Sequence, residues 1–212
     1  MTRLEELTHK VDAFFARVAL RHGDDMQCAS GCSDCCRVRL TITGVEAAAI
    51  RAHVTTWPVE QRRALAVTGP DDRCAALDAA GRCRIYPVRP LVCRSHGVPI
   101  RLRRGGLPVV EACPRNFTHT TPDPDCVLDQ ATLSAVLLAV DLAGAPVEAP
   151  AATAVKASSG DAAATAPAAT APEASSGDAT AAAPAATAPE ASGARRGARI
   201  DLARLLAELA AI

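Results

Sequence analysis

From Arg3 to Arg21 the large apolar side chains Leu4, Leu7, Val11, Phe14, Phe15 and Val18 recur at alternating steps of three and four. That period puts them on one face of a helix. Arg3, Glu5, Glu6, Lys10, Asp12 and Arg17 take much of the rest. A basic residue in the last turn, Arg21 or His22, followed by Gly23 predicts the helix end. The pattern reads as a helix facing a core rather than one binding a partner.

Val38 to Ile42 is a short β-like run. Thr43-Gly44-Val45-Glu46 is a capping-box pattern and predicts a helix through about His53. Pro58 suits the first position of a further helix, ending near Val67, and Gly69-Pro70-Asp71-Asp72 breaks the chain. Cys74 to Leu77 and Arg82 to Tyr86 read as two short strands around Asp78-Ala79-Ala80-Gly81. Pro87 and Pro90 bend the loop that presents Cys93. Val98 to Arg103 and Leu107 to Glu111 predict a hairpin around Gly105-Gly106. After Pro122-Asp123-Pro124-Asp125, residues 126–142 read as a helix stopped by Gly144, with Cys126 at its start.

The pattern then changes. Ala157 to Glu173 and Ala174 to Glu190 are two copies of one 17-residue unit, differing only at Ala163/Thr180 and Thr165/Ala182. The unit has almost no large apolar side chain, so burial cannot offset its ordering entropy and disorder is expected. Helical periodicity returns from Arg199 to Ile212, with Ile200, Leu202, Leu205, Leu206, Leu209 and Ile212 as the apolar face. A flexible linker of about 50 residues has an end-to-end distance of roughly 40 Å, enough for this helix to dock back. The expected division is a cysteine-cluster domain at 1–143, a low-complexity linker at 144–196 and a C-terminal amphipathic helix at 197–212. The expected fold class is α+β, a small cysteine-rich, metal-stapled domain with helices flanking short β-hairpins.

Composition explains the staple. Of 212 residues 49% are apolar, but much of that is alanine in the last third, and aromatics are only 2%. A core so thin in large side chains calls for extra cross-linking. The 23 basic and 23 acidic residues cancel, so nothing global draws the chain to nucleic acid or a membrane surface. The first twenty residues are charged throughout and lack the apolar centre of an export signal. The longest apolar run, near Leu133 to Val140, is too short to span a bilayer. A cytoplasmic, reducing setting follows, where clustered thiols more often bind metal than form disulfides.

Those thiols dominate the chemistry. Cys28, Cys32, Cys35 and Cys36 fall in nine residues, spaced C-x3-C-x2-C-C, and Cys74, Cys83, Cys93, Cys113 and Cys126 follow. Thiolates are soft ligands suited to zinc, copper(I) and iron–sulfur clusters. C-x2-C and C-x3-C spacings deliver two sulfurs to one metal without backbone strain. Adjacent Cys35 and Cys36 point differently, so they serve two metals or one of them faces elsewhere. Eight thiols could make two four-cysteine zinc sites, or one iron–sulfur cluster with spare thiols. Cys126 reads as a buried spectator. The first four thiols are expected to be half of a site whose other half lies downstream.

From Arg82 to Arg104 there are seven arginines and no acid. An anion-binding surface is one reading. Compensation of thiolate charge is the favoured one, with Arg89 and Arg94 hydrogen-bonding around the ligands. Aromatic stacking partners are nearly absent, which counts against single-stranded nucleic acid. His96, three residues after Cys93, is an alternative ligand or a neighbour of the ligands.

Cys28-x3-Cys32-x2-Cys35-Cys36, followed by Cys83-Arg84-Ile85-Tyr86-Pro87-Val88-Arg89-Pro90-Leu91-Val92-Cys93-Arg94, resembles the YkgJ family of cysteine-cluster proteins. Cys74-x2-Leu77 and Cys113-Pro114 also match its layout, so the resemblance spans roughly residues 26–117. It implies zinc or iron chelation, or an iron–sulfur cluster. It also implies Cys28, Cys32, Cys35, Cys36, Cys74, Cys83, Cys93 and Cys113 as the metal-binding set. A related cysteine motif occurs in a flagellin lysine methylase, which keeps a cluster-dependent enzyme as an alternative. No glycine loop for adenosylmethionine is evident, and no G-x-G-x-x-G, P-loop or G-x-S-x-G is present. The expectation is therefore a metal- or cluster-binding protein without catalysis of its own. A zinc-stabilised interaction module is the remaining alternative.

Overall fold

A computed structural model describes residues 1–66, 73–144 and 197–212. The expected chain break at 69–72, the end of the helix near Val67 and the repeat-bearing linker all lie outside the described residues. Helix α1 (Arg3–Arg21) opens with a capping box, in which Thr2 and Glu5 satisfy each other's backbone amides. Thr43 and Glu46 do the same for α2 (Gly44–Val54). Pro58 sits one residue ahead of α3 (Val59–Arg63), as its missing N–H allows.

Strand β2 (Ile100–Arg104) pairs antiparallel with β3 (Leu107–Glu111) around Gly105 and Gly106, both at positive φ. A third strand, β4 (Leu128–Asp129), joins β2 in parallel. Three elements differ from expectation. The proposed hairpin at 74–86 is a single bridge, Leu77 to Cys83, because Tyr86-Pro87-Val88 turns into a tight helical turn instead of extending the strand. The loop after Pro90 is a short helix, α4 (Leu91–Arg94), which carries Cys93. The helix expected from Cys126 begins later, as α5 (Gln130–Gly144), because Pro124 starts a separate turn and Leu128-Asp129 extends to pair with β2.

Only residues 41–42 of the expected run at Val38 to Ile42 form a strand. This strand, β1 (Thr41–Ile42), pairs with β5 (Ile200–Asp201) near the C-terminus. Helix α6 (Leu202–Ala210) follows, with Asp201 capping its N-terminus. Leu202, Leu205, Leu206 and Leu209 pack with Ile42, Ile50, Val54, Leu65 and Ile85 in the largest buried cluster. Cys74 and Cys83 pack against the same cluster. A second cluster joins Val11 of α1 and Leu91 of α4 to Leu133 and Leu137 of α5, and a third gathers Val18, Val98 and Cys126.

Two buried carboxylates tie these layers. Glu46 accepts from Thr43 through Oε2 and, through Oε1, from the Leu91 amide at 2.9 Å, satisfying an amide at the start of α4. Asp141 of α5 accepts from the Val45 amide at 2.7 Å in the first turn of α2. Cys93 is thus fixed through α4 to α2, and α2 to α5. No helix among the described residues is long and apolar enough to cross a membrane.

Candidate metal centre

Cys28 to Cys36 lie in a turn-rich loop whose Gly31 has φ +87°, a conformation that favours glycine. Cys35 and Cys36 share a helical turn, their sulfurs 3.9 Å apart. The loop is tied to the next pair of cysteines by backbone, with the Cys74 amide donating to the Cys36 carbonyl at 2.7 Å. The turn between Cys74 and Cys83 also lies against it, since a Cβ on Gly81 would come 3.2 Å from Ser33 Oγ. On its other side, a Cβ on Gly97 would stand 2.6 Å from Cys28 Sγ.

The thiols feel one another electrostatically. Burial pushes Cys28, Cys74, Cys83 and Cys93 up, Cys93 to about 12, and in each the charge of Cys35 adds to the push. The hydrogen bond from Cys36 holds Cys35 down at about 6, and the same bond pushes Cys36 up. Cys28 also feels Cys32 and Cys113. Cys36 feels Cys74 and Cys93. Cys35 is thus within electrostatic reach of Cys28 and of Cys74, Cys83 and Cys93. Cys126 stands apart from these thiols, fully buried in the third apolar cluster.

Charge compensation is local. Arg89 stacks over Tyr86 with 4.2 Å between guanidinium and ring centroid, and its charge acts on Cys35, Cys83 and Cys93. Its Nε is buried with no hydrogen-bond partner in the protein. Arg94 is placed differently. It pairs with Asp12 of α1 at 2.8 Å, and bonds the carbonyls of Pro87 and Arg89. It holds the Arg89 backbone rather than contacting a sulfur, because α1 supplies a carboxylate on its side of the loop. His96 is near enough to lower Cys35.

Three contacts had no signal in the sequence pattern. Asn116, 4% exposed, donates to Cys28 Sγ at 3.3 Å and to the Gly97 carbonyl at 2.7 Å, while accepting from the Gln27 amide at 2.8 Å. Arg115 NH1 lies 3.9 Å from Cys32 Sγ and pairs with Asp34 at 3.1 Å. A groove of about 450 Å³ lined by Pro99, Glu111, Cys113, Asn116 and Phe117 reaches the Cys113 side. A lone Asn-Phe after Cys-Pro-Arg carries no periodicity, so only its place in the fold exposes its role.

The donor set fits a soft cation or a cluster. Cysteines from four segments carry the soft donors, and the buried Nε of Arg89, whose charge acts on Cys35, Cys83 and Cys93, lacks a partner. Thiolates or the sulfides of a cluster would satisfy that donor. Residues 27–114 match the family CxxCxxCC, described as a putative zinc- or iron-chelating domain. This part of the chain is thus a domain of that family, the YkgJ type that its cysteine spacing resembles. No curated protein and no solved structure is detectably similar to the chain.

Proposed function

We propose that this is a metal-binding protein of a reducing, cytoplasmic setting. Its centre is polynuclear, either an iron–sulfur cluster or a two-zinc thiolate centre, held by Cys28, Cys32, Cys35, Cys36, Cys74, Cys83, Cys93 and Cys113. The supporting observation is the reach of Cys35, whose charge acts on Cys28 on one side and on Cys74, Cys83 and Cys93 on the other. A single four-cysteine zinc would need sulfurs about 3.8 Å apart and would leave half the thiols idle. Among the described residues, three donors within 4.8 Å of one another occur at His22, Asp123 and Cys126, outside this set. Thiolates spread over more than one metal suit the wider arrangement.

Arg89 offsets thiolate charge and Asn116 orients Cys28. Arg94 and Glu46 fix the loop and helix that carry Arg89 and Cys93. The test is elemental analysis with a visible spectrum on protein purified without oxygen. More than one iron or zinc per chain is expected, coloured if the centre is iron–sulfur. One zinc per chain, or folded protein with neither metal, overturns the reading.

A further inference from the structure

Away from the cysteine centre, the end of α1 meets the turn before β4. His22 caps α1, and its side chain is only 12% exposed. Its Nε2 lies 3.4 Å from Asp123 Oδ2, and its Nδ1 lies 3.4 Å from Asp25 Oδ2. Cys126, fully buried, brings its sulfur into the same place, so that one donor atom from each of His22, Asp123 and Cys126 lies within 4.8 Å of the others. The sequence reading of Cys126 as a spectator misses this, because His22 and Cys126 are far apart in the chain and meet only when α1 packs beside residues 123–126.

We propose that His22, Asp123 and Cys126 form a second metal site, for a divalent cation of the zinc type, separate from the cysteine centre. The donors are the imidazole nitrogen, thiolate and carboxylate that zinc accepts, and three protein ligands leave a fourth position for water. Two nitrogen or oxygen donors about 2.1 Å from a tetrahedral zinc stand about 3.4 Å apart. That is the separation of His22 Nε2 and Asp123 Oδ2. The half-exposed Asp123 carboxylate has room to close the remaining distance to the sulfur.

The surroundings point the same way. His22 Nδ1 faces Asp25 at 3.4 Å, the carboxylate behind the ring that a histidine ligating through Nε2 commonly has. The long bond that Nε2 accepts from the Asp123 amide, 3.4 Å, would give way to the metal. Arg21 binds Asp125 and stands 3.7 Å from Asp123 and 4.0 Å from Cys126 Sγ. Arg17 bonds the Asp125 carbonyl. Asp25, Asp123 and Asp125 thus put three carboxylates against two guanidiniums, a net negative surrounding that favours a cation, and Arg21 remains as a hydrogen-bond donor to the ligated sulfur.

The experiment uses the full chain with the metal it is purified with, titrated with Co2+. One further equivalent is expected, with a tetrahedral cobalt spectrum that includes a thiolate-to-cobalt charge-transfer band. Cys126→Ala and His22→Gln should each abolish that band. Asp25→Asn, which touches no metal, should weaken Co2+ binding roughly 10- to 100-fold. Cys83→Ser should leave the band in place while changing the metal content of the cysteine centre, so the two sites fail separately. Asp123→Asn, at an exposed side chain, serves if the buried Cys126 variant does not fold, and should also weaken binding. No further equivalent, or a cobalt band indifferent to His22→Gln and Asp123→Asn, overturns the proposal.

Discussion

The side-chain amide of Asn116 donates to the sulfur of Cys28 at 3.3 Å from a position fixed by two other hydrogen bonds, to the Gly97 carbonyl and from the Gln27 amide. It fastens both chain segments that flank this sulfur. Asn116→Ala removes all three bonds and orphans polar groups that cost about 1–3 kcal/mol each when left buried. Denaturant unfolding should show that loss, and metal should leave the protein faster. Asn116→Asp keeps an acceptor for Gln27 but sets a carboxylate against a thiolate, so its metal release should be faster still. Equal release rates in all three proteins would remove Asn116 from the centre.

Gly97 has φ +105°, and a Cβ there would stand 2.6 Å from Cys28 Sγ. Gly97→Ala therefore meets backbone strain of about 1–3 kcal/mol and displaces a predicted ligand. Gly106 also has positive φ, +83°, but nothing lies within 4 Å of its would-be Cβ. Gly106→Ala should lower stability without lowering metal content, whereas Gly97→Ala should lower both. Metal analysis beside thermal unfolding separates the two.

Metal affinity should rise with pH. Cys93 titrates near 12, and Cys28, Cys74 and Cys83 are also raised, so at pH 7 these thiols are protonated and each must lose its proton to ligate. Protons compete most at low pH, and the competition fades as pH climbs toward the raised values. Cys35, near 6, is already largely thiolate at pH 7 and releases little. Competition with a chromophoric chelator between pH 6 and 9 should show steadily tighter binding. Affinity that is flat over that range would contradict the ligand set.

Leu205 and Leu206 of α6 are fully buried in the cluster against which Cys74 and Cys83 pack. Either one changed to Ala should cost about 2–5 kcal/mol, as for other buried leucines. The metal should leave at lower denaturant concentration in these variants, because folding and ligation are coupled. Val136→Ala on α5, at a side chain 42% exposed, is the control and should leave both properties nearly unchanged.

By itself, the sequence determined what is written in short-range chemistry. The Thr2–Glu5 and Thr43–Glu46 boxes, the apolar face of α1 and the Gly105-Gly106 turn each need only residues three or four apart. The spacing of Cys28, Cys32, Cys35 and Cys36 likewise carries its soft-donor chemistry in the residues themselves. Tertiary structure decided which particular residues meet across distant positions. Thr41 pairs with Asp201 across the whole linker, and α6 supplies much of the main core. Parallel pairing with β2 draws Leu128-Asp129 out of the helix expected there. Asn116 at Cys28, and His22 beside Asp123 and Cys126, are contacts between side chains about ninety to a hundred residues apart. No local period encodes such contacts, because which segments meet is set by how the apolar faces of α1, α5 and α6 find one another. The thiols at Cys28 to Cys36 were legible as candidate ligands from their spacing. Arg89 was legible beside them from the arginine run, whereas Asn116 at Cys28 and Arg115 at Cys32 were not.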